Sequence, residues 1–115
     1  GDLEGSLKAA KRAMRADPRG RPSRRHVLAL LERLSREDEI ESIYDDLERR
    51  WPMDAQIALE IIERNLGRGD KNAARRRFDR SLKRFRHDAE TLANLADVAS
   101  RWSEDDRVLG AWDAI

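Results

Sequence analysis

Residues 55–86 read AQIALEIIERNLGRGDKNAARRRFDRSLKRFR, and they contain two predicted helices separated by one turn. On both sides of the segment Gly67-Arg68-Gly69, apolar residues recur every three or four positions, which is the spacing of one helix face. Glycine tolerates the positive φ angles at which helices commonly end, so this segment marks the break between the two helices. The pattern therefore predicts a helical hairpin in which each helix has one apolar face.

The same pattern recurs at a regular interval along the chain. Three aromatic residues, Tyr44, Phe78 and Trp112, have sequence numbers that differ by 34. The residues four positions before them are apolar and have the same spacing, namely Ile40, Ala74 and Val108. A fixed period of this length is typical of stacked supersecondary units rather than of one closed globule.

The whole chain follows the helical pattern, and no segment alternates apolar and polar residues as a strand would. The predicted helices span roughly 4–16, 22–34, 36–50, 54–66, 70–86, 88–102 and 104–115. Asp54 and Asp88 precede apolar periodic runs and are predicted helix N-caps. The segments that start at Ser35 and Ser103 resemble capping boxes, with a carboxylate three residues after the serine.

The period and its residues resemble the tetratricopeptide repeat family. In residues 55–86, Ile61-Ile62 takes the Leu-Gly positions of that family, and Ala74 and Phe78 take its Ala-x3-Phe positions. The match is partial, because Arg24 and Ala58 stand at the usual Trp position. A related helical-hairpin repeat family is the alternative.

The resemblance implies an all-α fold: a right-handed α-solenoid of stacked antiparallel hairpins, with seven helices in about three repeats plus a leading half repeat. We expect a single repeat domain over 1–115, divided into a partial repeat 1–20, repeats 21–54 and 55–88, and an incomplete repeat 89–115. Because both ends fall within a repeat, we expect a fragment of a longer array. Exposed repeat ends also lead us to expect self-association.

The resemblance further implies a protein-interaction scaffold in which the first helix of each hairpin lines a concave groove. The candidate partner-binding residues of this groove are Arg25, His26, Glu60, Glu63, Asn94, Asp97 and Arg101. The middle of the groove is acidic and adjoins Leu59 and Leu66, which favours a peptide with basic and apolar residues. Family members that clamp chaperone tails use Lys, Asn and Arg. Because Ala29 and Glu60 stand at two of those positions, we do not expect that ligand.

The net charge of +1 conceals blocks of opposite sign, of which residues 64–87 carry 10 basic and 2 acidic side chains. The alternative function is therefore an RNA-binding helical repeat that uses the basic helix 70–86. Against it, Phe78 and Phe85 belong to core columns, which leaves no aromatic residue on that helix to stack on bases. Charges also alternate at the repeat spacing, as in Lys11 and Asp45, which favours ion pairs between adjacent second helices.

Nothing in the sequence points to an enzyme. There is no cysteine, and the only histidines, His26 and His87, are far apart, so neither a cofactor nor a metal is expected. Glu60 and Glu63 lack an accompanying nucleophile and are interpreted as solvated groove carboxylates. Trp102 is either a core residue or a binding platform. The sequence contains no signal peptide and no apolar run long enough for a membrane span, and it does not indicate a compartment.

Overall fold

The computed structural model describes residues 2–102, and every regular element within them is an α-helix. The helices are α1 (Leu3–Ala16), α2 (Arg21–Arg33), α3 (Glu37–Arg50), α4 (Ala55–Gly67), α5 (Lys71–Arg84) and α6 (Ala89–Trp102). The predicted all-α class is confirmed. The predicted seventh helix 104–115, with Val108 and Trp112, lies outside the described residues. None of the six helices is long and apolar enough to cross a membrane.

The boundaries of the helices repeat with the period found in the sequence. The odd-numbered helices begin at Leu3, Glu37 and Lys71 and end at Ala16, Arg50 and Arg84, so their starts and their ends both recur at the spacing of the aromatic residues. The even-numbered helices also begin at this spacing, at Arg21, Ala55 and Ala89. Within residues 2–102, the helices therefore recur in order and spacing with a single period.

The turn inside each hairpin is the same structure in both complete copies. After α2, the Ser35 amide donates to the carbonyl of Glu32 at 3.1 Å, and the Arg36 amide donates to the carbonyl of Leu31 at 2.9 Å. After α4, the residues one period later make the same two bonds, at 3.0 and 2.9 Å. This is the Schellman ending, which requires a left-handed residue at its centre. That residue is Ser35 with φ of 57° in one copy and Gly69 with φ of 77° in the other.

The capping prediction is right for the aspartates and wrong for Ser35. Asp54 accepts from the amide of Ile57 at 3.2 Å, and Asp88 accepts from the amide of Thr91 at 3.1 Å. Ser35 instead lies at the end of α2, two residues before α3 begins, and does not occupy the N-cap position. A serine three residues before a carboxylate is therefore not sufficient to identify a capping box.

The chain divides into two compact units, one ending at Arg50 and the other beginning at Trp51. In the first unit, α2 packs against α1 and α3. In the second unit, α4 packs against α5 and α6, and α5 also packs against α6. The boundary lies close to the predicted repeat boundary after residue 54.

The periodic apolar residues form the interior of both units. Tyr44 is 5% exposed and Phe78 is 0% exposed, so the two described aromatic rings of the periodic series are both buried. In the second unit, Phe78 belongs to a cluster whose other buried members are Ile62, Leu92, Leu95, Ala96, Val98 and Ala99. Arg24 is an exception, since this charged residue is 1% exposed and its Nη1 donates to the Arg19 carbonyl at 3.4 Å.

Ion pairs join α1 to the α3 region of the first unit, but with partners other than those expected. Lys11 Nζ lies 3.1 Å from Glu39 Oε1, and Arg36 pairs with Glu4. The repeat spacing predicts Asp45, rather than Glu39, as the ion-pair partner of Lys11. The side chains are partly exposed, so each pair contributes about 0–1 kcal/mol and mainly favours one alignment of the helices.

Candidate functional site

A cleft in the second unit adjoins the ends of α4 and α6 and the start of α5. Its volume is about 440 Å³. The lining residues are Glu63, Leu66, Gly67, Lys71, Val98, Arg101 and Trp102. The cleft therefore contains two of the residues predicted to line the partner-binding groove, Glu63 and Arg101.

Helix geometry explains why these residues share one surface. Glu63, Leu66 and Gly67 have the spacing i, i+3, i+4 on α4, so they lie on one face within about one turn. Val98, Arg101 and Trp102 have the same spacing on α6. Gly67 adds no side chain, and a Cβ built there would meet no atom within 4 Å. The cleft is therefore open above the last turn of α4.

Trp102 forms part of the apolar wall of the cleft. Its ring stands edge-on to that of Phe78, with centroids 6.2 Å apart and an angle of 63° between the planes. It is partly buried against the core cluster of the second unit and also lines the cleft. The two interpretations of Trp102 are thus compatible, because the residue packs against the core cluster and also borders the cleft.

The rim of the cleft is an ion-pair network that bridges α4 and α6. Arg101 Nη2 lies 2.9 Å from Glu63 Oε1, and Arg101 Nε lies 3.4 Å from Asp97 Oδ2. The hydrogen bond that Arg101 donates to the Glu63 carboxylate raises the pKa of Arg101, and the negative charges of Glu63 and Asp97 act in the same direction. The Glu63 carboxylate is therefore compensated within the protein, and it presents less negative charge to a ligand than the sequence alone suggested.

The other predicted groove residues occupy helix surfaces. Glu60 is half-buried on α4, and Asn94 is exposed on α6. Arg25 and His26 are exposed on α2 in the first unit. The sequence predicts that Glu63, Asp97 and Arg101 lie on one surface. In the structure, Arg101 forms ion pairs with both carboxylates.

Three lining residues were missed, namely Lys71, Val98 and Gly67. For Val98, the signal was its position three and four residues before Arg101 and Trp102, which places it on the same helix face. Lys71 is the first residue of α5, and its position follows from the tight turn at Gly69. Helix periodicity does not reveal residues that a turn brings to a site.

The basic helix α5 and its C-cap residue, Phe85, carry no exposed aromatic ring. Phe78 is 0% exposed and Phe85 is 4% exposed, so neither can stack on a base. Arg84 donates to the Pro52 carbonyl at 3.0 Å, and Arg75 and Arg80 already have interaction partners. The surface of α5 is basic, but several of its arginine side chains interact with other groups of the protein.

Within residues 2–102, no three His, Asp or Glu side chains are grouped so that they could hold a metal ion. His26 is exposed on α2. His87 Nε2 accepts a hydrogen bond from Arg86 Nε at 3.2 Å.

Comparisons of the chain with protein-family models, with curated proteins and with solved structures found no match.

Proposed function

We propose that this chain is a tetratricopeptide-like repeat module, a non-catalytic scaffold that binds a segment of another protein along the first helices of its hairpins. The observation that carries the proposal is the cleft on α4 and α6, which combines an apolar wall with a charged rim. Binding sites for protein segments commonly combine apolar pockets with a few polar groups that fix orientation.

The repeat assignment is supported by the periodic recurrence of the helix boundaries and of the Schellman turn. A hairpin of this size cannot bury the apolar faces of both helices alone, so copies stack to complete a core. In the proposed architecture, the stack is a right-handed α-solenoid. The first helices of the hairpins, α2, α4 and α6, are then the ones that face the ligand.

In the proposed complex, an apolar side chain of the partner packs against Leu66, Val98 and Trp102. The partner backbone and polar groups meet the rim formed by Glu63, Asp97 and Arg101. Glu60 and Asn94 extend this surface along α4 and α6. By the repeat register, His26 corresponds to Glu60, and we propose that Arg25 and His26 take part on α2.

A substitution that fills the cleft tests this proposal. Gly67→Leu introduces a side chain where the structure has open space, and it replaces glycine in a helix by a better helix former. We expect it to weaken binding about tenfold or more while the fold is retained, because the new side chain occupies the volume of the partner's apolar group. Gly67→Ala is the matched control, and its affinity is expected to stay within about twofold.

The experiment starts with a display library of random peptides selected on the unmodified chain. Binding of the selected peptides is then measured by fluorescence anisotropy with each variant. Simultaneous replacement of Glu60 and Glu63 by Lys is expected to weaken the binding of selected peptides that carry basic residues, because it reverses two negative charges on the binding surface. If the peptides bind Gly67→Leu as tightly as the unmodified chain, the cleft is not the binding site.

A further inference from the structure

A second groove lies in the first unit, between α1 and α3. Its volume is about 310 Å³. Half-buried Met14, Pro18 and Ile43 line it, together with Leu47, which is 3% exposed. The groove is therefore mainly apolar, and its size suits one large side chain rather than a helix.

The helical hairpin does not itself require apolar residues at these positions. One repeat later, the positions of Met14, Ile43 and Leu47 are taken by Glu48, Arg77 and Ser81. These three polar residues lie in α3 and α5, helices with the same boundaries relative to the repeat. The apolar character of the first groove is thus a local property of this unit.

Cationic side chains border the groove. Its one acidic lining residue, Asp46, is bound by Arg49 Nη2 at 2.9 Å and by Arg50 Nη1 at 3.3 Å. Arg15 also lines the groove, is exposed, and has no hydrogen-bond or ion-pair partner within residues 2–102. An incoming carboxylate would therefore meet Arg15 without competition from an uncompensated anion on the groove wall.

We propose that this groove docks a short segment of a partner protein that inserts one large apolar side chain beside Ile43 and sets a neighbouring Asp or Glu against Arg15. The apolar side chain supplies most of the affinity, because it leaves water for an apolar pocket. The carboxylate selects the register of the segment through a charge-assisted hydrogen bond. This site is independent of the cleft on α4 and α6.

The test uses Gly67→Leu as the bait for a display library of random peptides, so that the cleft of the second unit is blocked during selection. The expected consensus is a Leu, Met or Phe with an adjacent Asp or Glu. A selected peptide, labelled with a fluorophore, is then titrated with further variants in the same background.

Two substitutions address the two halves of the proposal. Ile43→Arg introduces the residue found one repeat later, so it is compatible with the hairpin, and it should weaken binding about tenfold or more. Arg15→Glu should weaken binding about threefold and reduce its salt dependence. Met14→Glu, which also introduces the residue found one repeat later, replaces Ile43→Arg if circular dichroism shows that variant to be unfolded.

Three results would overturn the proposal. The first is a consensus without an acidic residue, or no enrichment at all. The second is a selected peptide whose affinity is unchanged in a folded Ile43→Arg or Met14→Glu variant. The third is self-association in sedimentation velocity that either folded variant abolishes, since the groove would then be the contact between two copies of this chain.

Discussion

The two equivalent turns inside the hairpins allow a reciprocal experiment on stability. Ser35 and Gly69 occupy the same position of the same hydrogen-bonded turn, both with positive φ. We consider Ser35→Gly and Gly69→Ala, which move glycine into one turn and out of the other. The residues that surround each turn are otherwise retained.

The magnitude follows from two opposing contributions. A side chain in the left-handed region costs about 1–2 kcal/mol, because its Cβ approaches the following carbonyl oxygen. Glycine loses more conformational freedom on folding, which costs about 0.5–1 kcal/mol. A Cβ at Gly69 would meet no atom within 4 Å, so no packing clash adds to the balance. We therefore expect Gly69→Ala to lower the free energy of unfolding by about 0.5–1 kcal/mol, and Ser35→Gly to raise it by a similar amount.

Urea denaturation followed by circular dichroism measures both changes, and thermal midpoints should shift by several degrees in opposite directions. Gly67→Ala is the matched control. Gly67 is the last residue of α4 and does not have positive φ, so alanine should stabilise it by about 0.5–1 kcal/mol. Changes of the same sign in Ser35→Gly and Gly69→Ala would refute the reasoning. A destabilised Gly67→Ala would do the same.

Three further predictions concern other features. Asn65 is buried, and its Oδ1 has no hydrogen-bond partner within residues 2–102, whereas the equivalent position one repeat earlier is Leu31. Asn65→Leu should therefore raise the free energy of unfolding by about 1–2 kcal/mol in urea titrations. An unchanged urea midpoint would contradict this prediction. The pKa of Asp88 is lowered by hydrogen bonds from the hydroxyl and amide of Thr91, so its stabilising effect is present above the unfolded value near 3.8 and is lost as pH falls through the lower folded value. Thr91→Val should raise the pKa of Asp88 in an NMR titration. An unchanged pKa would argue against the hydrogen bond from the Thr91 hydroxyl. Because the rings of Phe78 and Phe85 are buried, we expect no measurable binding of single-stranded RNA at low salt in anisotropy measurements. Tight, salt-sensitive binding would instead favour the alternative function.

The helices could be predicted from the sequence because their ends are chemically marked. Asp54 and Asp88 stand at N-caps, and Gly69 stands where a left-handed residue is needed. Ser35 plays the same role as Gly69, but serine is also a common N-cap, so local chemistry alone assigned it to the wrong helix end. Only the alignment with Gly69 could have corrected that assignment.

The sequence was sufficient to predict which residues lie on the candidate surface, but not which of their side chains form ion pairs. The repeat register identified Glu63 and Arg101 as residues of first helices, yet they pair across a separation of 38 positions. Likewise, Lys11 pairs with Glu39 at a separation of 28 positions. The register identifies equivalent positions in successive copies, whereas contacts depend on the offset of packed helices along their axes and on side-chain reach. Neither quantity is contained in the period.

The recurrence of the helix starts and of the Schellman turn has a consequence for how such a chain can change in length. Each Schellman turn and each aspartate cap depends on residues within about five positions of it. A genetic duplication or excision of one full period would therefore rejoin the polypeptide at equivalent positions, and the Schellman turns after α2 and α4 and the caps at Asp54 and Asp88 would keep their bonding partners. An insertion of any other length inside a helix would disturb those partners. Recombination of the gene can thus add or remove whole hairpins without requiring a new sequence at the point where two hairpins join.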